Sequence, residues 1–406
     1  MQTTARVARD TPSSPPPQAA AGLAPALGLA LAPLVALGFS RFAYALLLPA
    51  MQQEFGWSFA QAGSLNTANA AGYLVGALLA APLAAKLGAL RSFGLSMGLS
   101  ALALAATALW SWLPLLLAVR FVGGVATALA FVLGSAFAAR VWPGRSAMAL
   151  ALYFAGSGSG IVIAGTLLPL AAGGPQGLDW RSSWLVMAGL AGAATWLAIR
   201  AARAVPARVE APAGGARPAP AIWRLLAPSL LANLLFGAGY VGYMTFVIAL
   251  LHGQGLPPAT TLGFFALLGG ASMAASLAWG PALSRLPLGR GFALVCTAVA
   301  LGMLPLLVSP TPLAALASAL LFGASFMAGP AAVSMVAQRL LPAPALTWGL
   351  SLLTAAFSLG QSLGPLLAGA LSDATGSLAA GLWLGPLLLL AAAAVSLRQA
   401  PRAPLS

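Results

Sequence analysis

Acidic side chains are what this chain has least of: five Asp and Glu stand against nineteen Lys and Arg among 406 residues, with one His and one Cys. A single cysteine, Cys296, rules out an intramolecular disulfide and a thiolate metal cluster within the chain, and its apolar surroundings suit a buried structural residue. There is no paired-carboxylate cluster for metal-assisted transfer and no Ser/His/Asp set within the apolar segments. Nor does any Gly-rich loop run into Lys-Ser or Lys-Thr to hold a nucleotide. Enzymatic activity, an ATP motor, a bound metal and a cofactor are therefore not expected. Charge of either sign is scarce as well, at 6% of residues, too little to cover the surface of a soluble protein of this length.

What the chain has instead is apolar surface. Sixty per cent of residues are apolar, and they are strung into runs of about twenty, the length that crosses a bilayer as helix. Twelve such spans, bounded by Pro, Gly or charge, are expected at 24–49, 59–82, 92–111, 114–138, 147–172, 182–199, 225–251, 261–283, 291–309, 313–338, 347–372 and 377–397. The fold class is an all-α membrane protein. Residues 1–23, with Pro15, Pro16 and Pro17 in a row, read as a disordered tail. A cleaved signal peptide is disfavoured, because the proline run intervenes before an apolar stretch too long for an h-region. Two six-helix bundles, 24–199 and 225–397, flank a linker at 200–224 rich in Arg, Pro, Ala and Gly, and 398–406 forms a second tail.

The arginines sit singly or in pairs between spans and are not interleaved with aromatics, so a nucleic-acid partner is not expected despite the net charge of +14. They set orientation. With the amino terminus inside, sixteen of the nineteen basic residues fall on the cytoplasmic side, Arg181 alone falls outside, and Arg41 and Arg120 lie within spans. Both termini and the linker are expected in the cytoplasm.

The two halves repeat. Gly38, Tyr44 and Gly56 recur as Gly237, Tyr243 and Gly255, each 199 positions later (237 − 38). At the same offset Pro82, Lys86 and Arg91 meet Pro281, Arg285 and Arg290, while Gly124, Arg140, Pro143 and Gly165 meet Gly323, Arg339, Pro342 and Gly364. One offset held over about 130 residues, basic loop positions included, marks parallel six-helix repeats.

Six-plus-six repeats joined by a basic linker resemble the major facilitator superfamily. Arg120-Phe-Val-Gly-Gly124 is like its Arg-x-x-x-Gly motif, and Lys86-Leu-Gly88-Ala-Leu-Arg91 is like the tail of its loop signature. Gly360-Gln-Ser-Leu-Gly364-Pro365 lies in span eleven. GFSRFAYALLLPAM and GAGYVGYMTFVIAL, in spans one and seven, resemble the YbfB/YjiJ-type bacterial branch. That resemblance implies a secondary carrier of the bacterial inner membrane, moving a small solute by alternating access. Two departures stand out. The acidic position of the loop signature is Ala85 in one half and Ser284 in the other, and Ile161 stands where an antiporter-type motif in span five has proline. A drug or metabolite exporter coupled to protons is thereby weakened but stays open, as does a membrane sensor that binds without transporting.

Arg41 is the residue most in need of a reason, since a guanidinium in hydrocarbon costs between ~2.5 and ~17 kcal/mol unless it faces protein, water or ligand. By helical rise Arg41 and Arg120 lie at comparable depths, and the resemblance puts spans one and four on the central cavity. The expected substrate is an anion or carries a carboxylate, since no acid lies within any span to neutralise either arginine. The other candidates for substrate contact are Asn66 and Asn69 on span two, Asn233, Tyr240 and Tyr243 on span seven and Gln361 on span eleven, with Thr67, Tyr153 and Ser358 as further cavity polar groups. Tyr240 is the repeat counterpart of Arg41 (240 − 41 = 199). Glu54 is the candidate gating or proton site, free to fold back onto Arg41. The protein is expected to be a monomer in the lipid bilayer.

Overall fold

A computed structural model describes residues 22–172, 179–205 and 220–399. Among these, the secondary structure is helical, and twelve helices are long and apolar enough to cross a membrane. A backbone in lipid finds no water, so each apolar run must satisfy its own N–H and C=O groups and does so as helix. In order these are α1 (Leu23–Phe55), α2 (Phe59–Leu87), α3 (Ala89–Leu109), α4 (Leu113–Ala138), α5 (Ser146–Ala171) and α6 (Trp180–Arg203). The second six are α7 (Pro220–Gly253), α8 (Pro258–Arg285), α9 (Arg290–Val308), α10 (Pro312–Leu340), α11 (Ala343–Thr375) and α12 (Leu378–Leu397). Twelve crossings bring both ends of the chain to one end of the bundle, the near end; the other is the far end.

Several spans outrun their sequence-based bounds. α1 continues through Pro49 to Phe55, because a transmembrane helix tolerates an internal proline when neighbours satisfy the freed carbonyl. α6 reaches Arg203 and α7 starts at Pro220, which shortens the expected linker of 200–224. Its central part, like most of both tails, lies outside the described residues. Four far-end helix starts carry side-chain caps. Ser58 accepts from Gln61 N in a reciprocal capping box, Asp179 from Ser182 N, Thr311 from Ala314 N and Ser377 from Ala380 N, each satisfying donors a helix start leaves open.

The repeat seen in the sequence is a packing repeat. Gly124 of α4 lies against the Asn69 carbonyl of α2, and Gly323 of α10 lies against the Leu268 carbonyl of α8; both members of each pair are related by 199 positions. No Cβ fits at either crossing, so small residues here set how closely helices approach. The halves meet along α2 against α11 and α5 against α8. At the latter, a Cβ on Gly158 would stand 2.6 Å from the Gly269 carbonyl.

Three irregularities fall where the halves face each other. Leu34–Phe42 of α1 is π-helical and carries Arg41; Ile163–Leu167 of α5 is π-helical too. α10 breaks between Phe326 and Gly329. Local π-helix is uncommon and concentrates at functional positions.

Candidate functional site

Arg41 lies midway along α1 and is 5% exposed. Its guanidinium stands 5.9 Å from the centroid of the Tyr73 ring of α2 and is close enough to interact electrostatically with Tyr240 of α7. Tyr240 brings no charge of its own but anchors an amide: Gln361 of α11 donates Nε2–H to its hydroxyl at 2.6 Å. Arg41, Tyr73, Tyr240 and Gln361 thus come together at mid-depth, drawn from both halves.

This cluster is rich in unmet hydrogen-bonding capacity. Arg41 Nε and Nη2, Gln361 Oε1 and Ser358 Oγ are buried without a partner. Ser358 and Gln361 are both 0% exposed and sit one turn apart on α11. Thr354, a turn nearer the near end on the same stripe, is exposed. Buried polar groups are ordinarily paired, so these mark a place where a ligand or water completes the set.

Rings enclose the cluster on the second-half side. Tyr240 stacks on Phe357 (centroids 5.9 Å apart, planes 11° apart) and lies 5.9 Å from Phe326 and 5.3 Å from Phe236. Phe42, next to Arg41, meets Phe326 edge-on at 5.7 Å.

Beyond the cluster, toward the far end, the halves are stitched together. Asn66 donates to Thr245 Oγ1 at 2.6 Å and Thr67 to the Ser362 carbonyl at 2.7 Å. Thr166 donates to the Leu262 carbonyl at 3.0 Å. At the rim, both carboxylate oxygens of Asp373 accept from the backbone N–H groups of Phe59 and Ala60, at 2.9 Å each. A carboxylate from one half thereby caps a helix of the other, where the helix dipole also favours negative charge.

Several candidates named from the sequence lie elsewhere. Arg120, 2% exposed, sits inside the first half between the Tyr44 and Trp184 rings, at 5.0 and 5.6 Å from their centroids. It reaches the cluster only through its electrostatic interaction with Arg41. Like Arg41, it is buried with Nε and Nη2 lacking a hydrogen-bond partner, but the rings around it belong to the first half alone. Tyr243 exchanges a hydrogen bond with Ser318 Oγ at 2.7 Å inside the second half. Asn69 donates to the Arg120 carbonyl and Asn233 to the Leu353 carbonyl, each tying two helices of one half. Tyr153 donates to the Phe131 carbonyl. Glu54 does not fold back on Arg41. Its oxygens are taken by Arg181 Nη1 and Trp180 Nε1, both at 2.6 Å, so it clasps α1 to α6 at the exposed far end of one half and bridges no gate.

Tyr73 was missed, though the signal existed: Asn66, Asn69 and Tyr73 are spaced as one helical stripe (i, i+3, i+7). The phenylalanine wall had no such mark, since its members read as ordinary apolar residues.

A twelve-helix body in two parallel halves, with a polar cluster at mid-depth between them, defines a major facilitator transporter. The chain belongs to the family described as the uncharacterised MFS-type transporter YbfB, whose pattern matches residues 33–397. Solved structures share the fold. The inward-open xylose transporter XylE from E. coli is 14% identical with a TM-score of 0.71, covering 94% of this chain and 97% of that one. A bacterial homologue of the human lysosomal transporter Spinster, inward-facing and occupied, is 16% identical with a TM-score of 0.70, over 92% and 94%. The nucleoside transporter NupG is 15% identical with a TM-score of 0.66, over 91% and 96%. No curated protein shows significant sequence similarity to the chain. The protein is therefore a multi-pass membrane transporter of small solutes.

Proposed function

We propose that the chain is a monomeric secondary carrier of the bacterial inner membrane, with both termini cytoplasmic, that moves a small organic anion by alternating access. The observation that carries this reading is Arg41, buried at mid-depth between the halves with Nε and Nη2 unpartnered. A permanent charge so placed is costly unless an anion, ordered water or backbone carbonyls compensate it. Among the described residues the acids are Glu54, Asp179 and Asp373, all at the far end, so an anionic solute would supply a countercharge that the described protein does not place beside Arg41. Alternating access is supported by the seal of hydrogen bonds on one side of Arg41 and by the exposure of Thr354 on the other. Orientation rests on the sixteen-to-one distribution of loop cations.

The reading is tested by reconstituting the purified protein in liposomes and measuring uptake of anionic, neutral and cationic metabolites, alongside a thermal-shift screen. A ligand of the folded state raises its apparent stability by mass action. Uptake confined to anions supports the proposal; if only cationic solutes are moved, it is wrong. A sensor would bind a ligand and give no flux.

A further inference from the structure

We infer that the carboxylate of the transported anion is carried on an aromatic ring that also bears a hydrogen-bond donor. This rests on the organic-anion reading above and narrows it. The asymmetry of the cluster is the starting point. Arg41 supplies donors and charge from the first half. Facing it, the second half supplies no charge: the position equivalent to Arg41 is Tyr240, and the one equivalent to Arg120 is Ala319. What it supplies is ring surface, in Tyr240, Phe357, Phe326 and Phe236, at centroid spacings of 5.3 to 6.1 Å.

A ligand held by its carboxylate at Arg41 puts the rest of its body against that wall. Stacked or edge-on aromatic pairs at such spacings are worth about 0.5–1.5 kcal/mol beyond the area they bury, so a planar ring gains there what a saturated ring of equal size does not. The wall rests on the break in α10. Phe326 ends one helical segment and Gly329, against the Phe236 ring, begins the next, so the rings can part without breaking a continuous helix.

Gln361 supplies the second requirement. Its Nε2 is committed to Tyr240, which leaves Oε1 as a buried acceptor with no donor. A phenolic hydroxyl or ring N–H on the ligand meets that need. An ammonium is a poorer match, because no carboxylate is near to receive it and Arg41 repels it. The class defined is a hydroxy- or amino-substituted aromatic carboxylate, the amino group being an uncharged aryl amine.

The test uses the full chain in detergent and in proteoliposomes, with four probes: 4-hydroxybenzoate, 4-hydroxyphenylacetate, benzoate and cyclohexanecarboxylate. Binding is read from thermal shifts and from uptake of labelled acid. The expected order is the two hydroxylated aromatic acids, then benzoate, then cyclohexanecarboxylate, with benzoate bound about fivefold more tightly than its saturated analogue. Phe357→Leu should erase the benzoate preference, and Gln361→Met should erase the gain from the hydroxyl. Arg41→Gln should abolish binding of all four. Each variant is checked for a monodisperse elution profile, and the two second-half variants serve as folding controls for each other. Equal, Arg41-dependent binding of benzoate and cyclohexanecarboxylate overturns the aromatic inference and leaves the organic-anion reading intact. So does binding of aliphatic acids alone, tested with lactate and succinate. If no acid binds, or if binding survives in Arg41→Gln, both readings fall together.

Discussion

The two halves are built on one plan and differ where they face each other. At equivalent positions the first half buries Arg41 and Arg120, and the second buries Tyr240 and Ala319. Scaffold positions did not diverge in this way: Gly124 and Gly323 make the same close crossing in each half. Packing therefore constrains the shared residues, and of the two departures the Arg41/Tyr240 one falls at the shared surface, where a solute without twofold symmetry has to be held, while Arg120 is enclosed within its own half. One half contributes charge, the other ring faces and an amide.

The largest effect is expected from removing the charge. Arg41→Gln should lower uptake of an anionic substrate by about 100-fold or more, as expected when one member of a buried charge pair is truncated. Arg41→Lys should fall between, since a point charge cannot reproduce the planar fork. An Arg41→Gln protein that transports at the wild-type rate would erase the asymmetry as an explanation of function.

Next in size is the facing position. Tyr240→Phe deletes the hydroxyl that receives Gln361 Nε2, and loss of one such buried bond corresponds to roughly fivefold in KM. The ring remains, so Vmax should hold. Unchanged kinetics would assign Tyr240 to packing alone.

A smaller effect is expected where the halves are joined rather than contrasted. Asp373→Ala removes both acceptors for Phe59 and Ala60 and should loosen the far-end seal. The protein's single cysteine is fully buried, so a cysteine placed at Ser362 can be read cleanly with a membrane-impermeant maleimide. Labelling from the outer side should rise a few-fold in the Asp373→Ala background. Equal labelling would mean that the carboxylate contributes nothing to closure.

The smallest effect belongs to Glu54. Its pairing with Arg181 is more than a third exposed on both sides, and such pairs contribute about 0–1 kcal/mol. Glu54→Gln should leave transport within about twofold across roughly pH 5 to 8. A steep new pH dependence would restore Glu54 as a proton site.

Fold and repeat were legible in the sequence because both are written in quantities that lipid enforces: run length, loop charge and the glycine at each close crossing. Arg41 stood out for the same reason, as a polar group out of place, whereas Tyr73 was missed although its spacing from Asn66 carried a signal. The surroundings of Arg120 were not legible, because depth along a helix says nothing about which way a side chain turns; Tyr44 and Trp184 stand beside it inside one half. Tyr243, Asn69 and Asn233 show the same ambiguity. In lipid, a buried polar residue satisfied by a neighbouring carbonyl looks identical in sequence to one awaiting a ligand. The ring wall was invisible because phenylalanine is what any apolar span is free to carry.

The far-end seal has an electrical consequence. With the termini cytoplasmic, as proposed, that seal lies on the outer side, and once water reaches Arg41 from the Thr354 side the transmembrane voltage falls mainly across the seal, which puts the guanidinium at nearly cytoplasmic potential. Moving one unit charge across the whole drop is worth about 2.3 kcal/mol per 100 mV. An interior-negative membrane therefore holds the empty carrier in this sealed state, and a bound monovalent anion, by cancelling the charge, releases it from the voltage. Presteady-state charge movements should accordingly belong to the unloaded protein and vanish in Arg41→Gln.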